Sequence, residues 1–169
     1  MLKNNRMGEK MKKRIAILTL ILILNLFLFA DVFEINLTRK ERNLYKENQK
    51  NLLIQTRFCF EFAFAADAIL KIDGLSKFVI FTNSGNKCDV KAIYKKIEIN
   101  EQKKVVNVYK IEDGWYQIMG TDIYFLTTSC LNLSLSADVV LNVYKNNLGG
   151  MIQFDKYSNC SIEGFYSKI

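Results

Sequence analysis

The clearest pattern in the chain is a strict alternation of apolar and polar side chains beside the first cysteine. The polar positions include Glu61, Asp67 and Lys71. Alternate side chains of a β-strand lie on one face of the sheet, so the pattern predicts a strand, or two in succession, with one face in the core. Because so long a strand is unusual, we expect a bend near Ala66-Asp67. The apolar positions are Phe58, Phe60, Phe62, Phe64, Ala66, Ala68, Leu70 and Ile72.

The four phenylalanines in this run allow two interpretations. On one face of a strand they would form a platform for a ligand, or they would simply fill the core. Large aromatic residues are most often buried in folded domains. We therefore interpret them as core and keep the platform as the alternative.

The same pattern recurs later in the chain. Cys130–Val143 aligns without a gap on Cys59–Ile72, and a second cysteine follows at nearly the same distance in both copies, at Cys88 and Cys160. The second copy predicts its own core face from its alternate apolar residues. These are Leu131, Leu133, Leu135, Ala137, Val139, Leu141 and Val143.

Short strands with turns every eight to twelve residues are typical of antiparallel all-β domains. We therefore predict an all-β sheet, sandwich or barrel-like fold. The segment near 39–50 allows a short helix, since Thr38 and Glu41 resemble a capping box, or an irregular segment or hairpin as the alternative. The predicted organisation is an amino-terminal segment, two tandem β-repeat units and a connecting hairpin. Their ranges are 31–43 for the segment, 44–94 and 114–169 for the units and 95–113 for the hairpin.

The first thirty residues predict an export signal. A positive stretch, Lys10–Arg14, precedes the apolar run Ile15–Phe29, and Ala30 offers a site for cleavage. Residues 1–30 hold six basic and one acidic side chain, so they supply five of the seven net positive charges of the chain. The remainder is nearly neutral, which argues against nucleic acid as a partner. We expect a periplasmic or secreted protein; the alternative is an uncleaved single-pass anchor in the inner membrane.

Four cysteines follow the predicted signal, in what would be an oxidising compartment. Four cysteines allow three pairings, and the repeat favours one disulfide within each copy, Cys59 with Cys88 and Cys130 with Cys160. A four-thiolate zinc site is the rival interpretation. It is disfavoured because no CxxC pair is present.

The candidate catalytic residues are few. The chain has no histidine, which removes the commonest general base and metal ligand. The acids that could form a hydrolytic pair are scattered, and we treat an acid-pair hydrolase as a distant alternative. They are Glu61, Asp67, Asp89, Asp122, Asp138 and Glu163. We therefore predict a protein that is not an enzyme and needs no cofactor or metal.

What remains is a binding role with a glycan or protein partner in the cell envelope. Five aromatic residues beside strand ends are the candidate contacts, and the alternative is that they cap the core. They are Tyr94, Trp115, Tyr116, Tyr124 and Tyr166. Asn36, in Glu34–Thr38, also fits an acceptor pattern for bacterial N-glycosylation.

Overall fold

The fold is built almost entirely from antiparallel strands, as the alternation predicts. The computed structural model describes residues 31–74, 76–128, 130, 135–145, 149–155 and 158–169. The predicted signal, residues 1–30, lies outside them, as do Leu131 and Leu133. The twelve strands are β1 (Asp31–Glu41), β2 (Leu44–Glu47), β3 (Leu52–Arg57), β4 (Ala66–Asp73), β5 (Ser76–Phe81), β6 (Lys87–Ile97), β7 (Gln102–Glu112), β8 (Trp115–Ile118), β9 (Ile123–Thr128), β10 (Ser136–Val143), β11 (Gly150–Gln153) and β12 (Asn159–Lys168).

The first six strands close into a barrel. Around the ring the order is β1, β2, β3, β6, β5 and β4, with β4 pairing back onto β1. The interior is apolar and holds Leu37, Ile54, Leu70 and Phe81, all buried. We call these strands the first ring. Closure leaves neither edge of its sheet unpaired, which removes a site for unwanted strand pairing.

The last six strands close in the same order, as β7, β8, β9, β12, β11 and β10. We call them the second ring. In both rings the pairing register shifts at the end of the first strand. In both, one residue of the sixth strand has no partner in the pairing with the third strand: Lys91 in the first ring and Glu163 in the second. The all-β, barrel-like prediction is confirmed. Strands β1 and β7 each belong to a ring, so the rings begin before the predicted repeat units; duplication as their origin stays a prediction from the sequence.

The two rings are joined through their sixth strands. Strand β6 pairs with β12 in antiparallel fashion, and Lys95 lies opposite Ser167. A separate apolar cluster fills the space between the rings, with Trp115 at its centre and Leu44, Leu53, Tyr94, Tyr124 and Tyr166 among its members. Each ring therefore has its own core, and a third core holds the rings together.

Charged contacts also bridge the rings. The Glu163 carboxylate accepts hydrogen bonds from Lys40 Nζ at 3.1 Å and from Lys46 Nζ at 2.9 Å. Burial of Glu163 opposes its ionisation, but the hydrogen bonds from Lys46 and Lys40 outweigh that effect and hold its pKa below the ordinary value. The skipped position on β12 therefore places an acid where two first-ring lysines reach it.

Glu163→Gln is expected to lower the free energy of unfolding by about 1 kcal/mol at neutral pH, because partly exposed ion pairs contribute no more than that. Since the folded pKa of Glu163 is lowered, its stabilisation is present above its ordinary pKa of 4.5 and is lost as the pH falls through the folded value. Urea unfolding should show a gap between variant and wild type at pH 7 that closes in acid. Glu101→Gln, at an exposed acid between β6 and β7, is the control. A gap that persists in acid would contradict the assignment.

The predicted helix near 39–50 is wrong. This stretch contains the end of β1, the strand β2 and the turns on either side of it. Thr38 does not cap a helix; its Oγ1 accepts hydrogen bonds from Asn48 Nδ2 at 3.1 Å and from Ala65 N at 3.1 Å. Leu44 and Tyr45 are fully buried on opposite faces of β2, which a strand between two apolar cores requires. Tertiary packing overrides the helix propensity of this segment.

Both predicted disulfides are confirmed. Cys59 is bonded to Cys88 and Cys130 to Cys160, with Cα–Cα distances of 5.4 and 5.2 Å. Each disulfide ties the segment that follows the third strand of a ring to the sixth strand of the same ring. Structural disulfides of this kind are typical of an oxidising, extracytoplasmic compartment. No helix within the described ranges has the length and apolar character needed to span a membrane.

Candidate functional site

The candidate site is the segment 58–65, between β3 and β4, which we call the phenylalanine loop. It is not a strand, and its four phenylalanine side chains are exposed: Phe58 by 87%, Phe60 by 62%, Phe62 by 88% and Phe64 by 91%. The prediction that they fill the core is wrong. The core prediction fits only the later part of the run, where Ala68 and Leu70 are buried.

The cause is a change of face within the alternating pattern. Cys59 and Ala63 are the buried residues of the loop, so the even-numbered neighbours point outward. Phe58 and Ala65 both have a positive φ, of 51° and 50°, a conformation uncommon for residues other than glycine. These two positions bracket the loop. They let the even-numbered residues face solvent within the loop and face the core again in β4.

The inward side of the loop is fixed at every second residue. The Cys59 sulfur is held by its disulfide, and the tyrosine hydroxyl of Tyr45 donates to Glu61 O at 2.9 Å. The remaining anchors are backbone and side-chain hydrogen bonds to the first hairpin of the ring. They are Cys59 N to Asn43 Oδ1 at 3.2 Å, Arg39 N to Ala63 O at 2.8 Å, Ala65 N to Thr38 Oγ1 at 3.1 Å and Asn36 Nδ2 to Ala65 O at 2.8 Å.

Basic residues lie beside the exposed rings. The guanidinium carbon of Arg39 lies 4.7 Å from the centroid of the Phe62 ring, and that of Arg42 lies 5.7 Å from the Phe60 ring. Cation–π contacts at such distances are attractive and orient both groups. Arg39, Arg42 and Phe62 also line one open groove together with Lys40 and Phe64. The site is therefore both aromatic and cationic.

The second ring contributes an apolar side chain to the same end of the molecule. Leu135, which aligns with Phe64, is 68% exposed and lines a neighbouring groove with Arg42. Leu135 was predicted as core, and the structure corrects that. Met119 and Tyr109 are exposed on the same ring, and the Met119 sulfur lies 3.9 Å from Ser136 Oγ, next to Leu135. Arg42 is thus shared between apolar groups of the two rings.

Three carboxylates gather where the first hairpins of the two rings meet. Burial raises the pKa of Glu41, and the nearby charges of Asp113 and Glu112 raise it further. Glu112 accepts hydrogen bonds from Asn43 N and Gln55 Nε2, both at 3.3 Å. These are not the acids that the sequence suggested for hydrolysis. Among the residues that the structure describes, no cluster of three or more histidine, cysteine or acidic side chains could hold a metal.

The predicted binding aromatics are all buried, so the structure corrects that prediction. Trp115, Tyr94, Tyr124 and Tyr166 form the cluster between the rings, and Tyr116 lies inside the second ring. Burial raises the pKa of Tyr94 to about 12 and that of Tyr116 to about 12. None of these rings offers a face to a ligand.

Asn36 is also occupied in the folded protein. Its Nδ2, the atom that would carry a glycan, donates to Ala65 O at 2.8 Å and to Asp67 Oδ1 at 2.9 Å. The second ring repeats the last contact, with Asn107 Nδ2 donating to Asp138 Oδ1 at 2.9 Å. The asparagine therefore has a structural role in the ladder between the first and fourth strands of each ring, and a glycan there would displace these hydrogen bonds.

The fold and the loop define a disulfide-stabilised all-β module with an exposed aromatic and basic surface. No family model, no curated protein and no solved structure matches the chain. The phenylalanines, which the sequence pattern placed in the core, are the candidate contact residues that the structure exposes. The sequence did contain a signal for this exposure. Cys59 lies between Phe58 and Phe60 and is buried with its disulfide, so its two neighbours face the other way.

Proposed function

We propose that the protein is an exported, non-catalytic binding module of the cell envelope, and that the phenylalanine loop is its contact surface. One observation carries the proposal: four phenylalanines in eight consecutive residues are 62–91% exposed on a segment held in place by a disulfide and by hydrogen bonds. Contiguous exposed apolar surface of this kind marks interaction sites in soluble proteins.

The energetics support a contact surface. Full burial of one phenylalanine side chain contributes about 1.5–3 kcal/mol. Four such side chains would supply roughly 6–12 kcal/mol before the costs of association, which is a substantial part of the gross energy that a contact needs. Because the loop backbone is already fixed, little conformational entropy remains to be lost on binding. The loop is thus organised for contact before a partner arrives.

Export is part of the proposal. The two disulfides support an oxidising compartment, and the basic and apolar character of residues 1–30 supports a signal sequence. Amino-terminal sequencing of the chain from its host separates a released form from an anchored form. A chain that begins at Asp31 would be released, whereas one that begins at Met1 or Met11 would remain anchored.

Site-directed crosslinking in the host envelope tests the contact surface. A photoreactive phenylalanine analogue in place of Phe62 should give a defined adduct, because this ring is exposed at the centre of the loop. The same analogue in place of Tyr144, an exposed aromatic at the end of β10, is the matched control and should give none. Phe60→Ser and Phe64→Ser, introduced beside the Phe62 probe, should reduce the adduct. Equal labelling from both positions, or none from either, would contradict the proposal.

A further inference from the structure

We infer that the phenylalanine loop docks on the surface of a bilayer that contains anionic lipid. The inference rests on the proposed function and names the chemistry of its ligand. It follows from three features of the loop together: the direction of its rings, the charge around them and the second apolar contact beside it. Each is a property that an interfacial protein segment needs.

The shape of the loop suits a planar, fluid surface. All four rings point away from the barrel, and the polar backbone between them is satisfied inward by Tyr45, Asn43 and the other first-ring anchors. Burying an unpaired backbone group in the membrane is costly. Because the backbone groups at the anchored positions already have partners, the phenylalanine side chains can enter the headgroup region without that cost at those positions. Aromatic side chains also favour the interface between water and hydrocarbon.

The charge around the rings complements an anionic surface. Arg39, Lys40, Arg42 and Arg57 flank the loop, and the first three line one groove with Phe62 and Phe64. Acids are also present. Glu61 accepts a hydrogen bond from Asn86 Nδ2 at 2.5 Å, and Glu41, Glu112 and Asp113 line the neighbouring groove. In the groove beside Phe62 and Phe64, three basic side chains accompany Glu41, so the positive charge is concentrated there. A second copy of this chain would bring the same basic groups against one another, so it is the less favoured occupant.

The second ring widens the contact. Arg42 lines one groove with Phe62 and Phe64 and a neighbouring groove with Leu135, so apolar side chains from both rings reach the same end of the molecule. Two separate apolar contacts beside a basic groove suit a broad membrane surface. A short peptide would place one side chain in a single pocket instead. This arrangement favours a membrane over a short peptide.

Strand β1 begins far from the phenylalanine loop. Asp31 pairs with Ile72 at one end of the first ring, whereas Leu37 pairs with Ala66 beside the loop. Six residues of strand separate these two levels by about 20 Å. Asp31 therefore lies at the end of the first ring opposite the loop. Any membrane affinity of residues 1–30 is common to wild type and loop variants.

Vesicle sedimentation tests the inference with the chain as its host processes it. The probes are vesicles of phosphatidylglycerol and phosphatidylcholine in equal parts, and vesicles of phosphatidylcholine alone. We expect binding to the anionic vesicles that weakens with salt. The double variant Phe62→Ser/Phe64→Ser should weaken it more than ten-fold, and Arg42→Gln/Arg57→Gln about five-fold for each charge removed. Tyr144→Ser removes an exposed aromatic side chain from the strands of the second ring. It is the control and should bind as the wild type does.

The outcomes separate this inference from the proposed function. Failure of the wild type to sediment with either vesicle, or equal sedimentation of wild type and the Phe62→Ser/Phe64→Ser variant, would overturn docking on lipid. If lipid binding fails while the Phe62 probe still gives a specific protein adduct in the envelope, the binding module stands and its ligand is a protein. Because the four rings are exposed, the serine variants should keep the thermal transition of the wild type, and that measurement shows that loss of binding is not loss of folding.

Discussion

Replacing Cys59 and Cys88 together by serine is expected to lower the free energy of unfolding by about 3–4 kcal/mol and to abolish the contact made by the phenylalanine loop. The disulfide closes a segment of 29 residues, and the entropy of closing such a segment in the unfolded chain accounts for the stability effect. The effect on the loop has a separate cause. Cys59 is the inward anchor nearest to Phe58 and Phe60. Without its disulfide, the side chains of these two phenylalanines are no longer held outward.

The second disulfide provides a matched control. Cys130 and Cys160 close 30 residues, so Cys130→Ser/Cys160→Ser should lower stability by the same amount. It should leave the Phe62 crosslink intact and weaken vesicle binding less than Cys59→Ser/Cys88→Ser does, because the phenylalanine loop lies in the other ring and only Leu135 of the contact belongs to this one. Urea unfolding compares the stabilities. If a serine variant does not accumulate, the folded wild type can instead be partly reduced and alkylated, with each disulfide located by peptide mapping. Equal loss of contact in both variants would show that the disulfide does not act through the loop.

Much of the architecture follows from the sequence because the pattern occurs twice, so that a prediction from one copy can be compared with the other. A period of two requires strands, and cysteines at matching places in both copies select one of three pairings. Hydrogen bonds repeat as well: Thr56 Oγ1 donates to Asn43 O at 3.2 Å, and Thr127 Oγ1 donates to Gly114 O at 3.1 Å. Local pattern and disulfide chemistry thus indicate most of the strands and both disulfides, but not β2, where tertiary packing overrides the helix propensity.

The direction of the phenylalanines could not be predicted in the same way. A period of two fixes which residues share a face but not which face is inside. The face changes at Ala65, an alanine with a positive φ, where the sequence offers no glycine to mark the change. The buried cysteine was the available signal, since its disulfide partner Cys88 belongs to the core.

The cluster between the rings was also hidden from the sequence. Leu44 and Trp115 occupy matching places in the two copies, and each faces outward from its own ring. An outward residue of one barrel is expected to meet solvent, so Trp115 resembled an exposed binding aromatic. Only the pairing of β6 with β12 brings the second barrel over it. Differences between the copies here reflect how two unequal surfaces pack, and they do not mark a ligand site.

Trp115→Ala is expected to lower the free energy of unfolding by about 3–5 kcal/mol, because it opens a cavity among rings that nothing nearby can fill. Trp115 is fully buried, and its ring lies 5.1 Å from that of Tyr94, 5.6 Å from Tyr124 and 5.7 Å from Tyr166. Phe62→Ala removes another large aromatic side chain, but an exposed one, and should change stability by no more than about 0.5 kcal/mol. Since Trp115 is the one tryptophan of the chain, unfolding should be followed by circular dichroism and not by its fluorescence.

Trp115→Leu places in the second ring the residue that the first ring has at Leu44, and it tests what the tryptophan contributes beyond apolar contact. We expect a smaller loss than for alanine, because leucine keeps part of the buried volume, and a loss larger than zero, because three aromatic contacts disappear. If the rings are held together mainly by this cluster, both variants should also weaken the protection of β6 and β12 amides against hydrogen exchange before that of the ring interiors. Protection lost equally in all strands would show instead that the two barrels unfold as one unit. If Trp115→Ala lowers the free energy of unfolding by less than about 1 kcal/mol, the cluster does not hold the rings together.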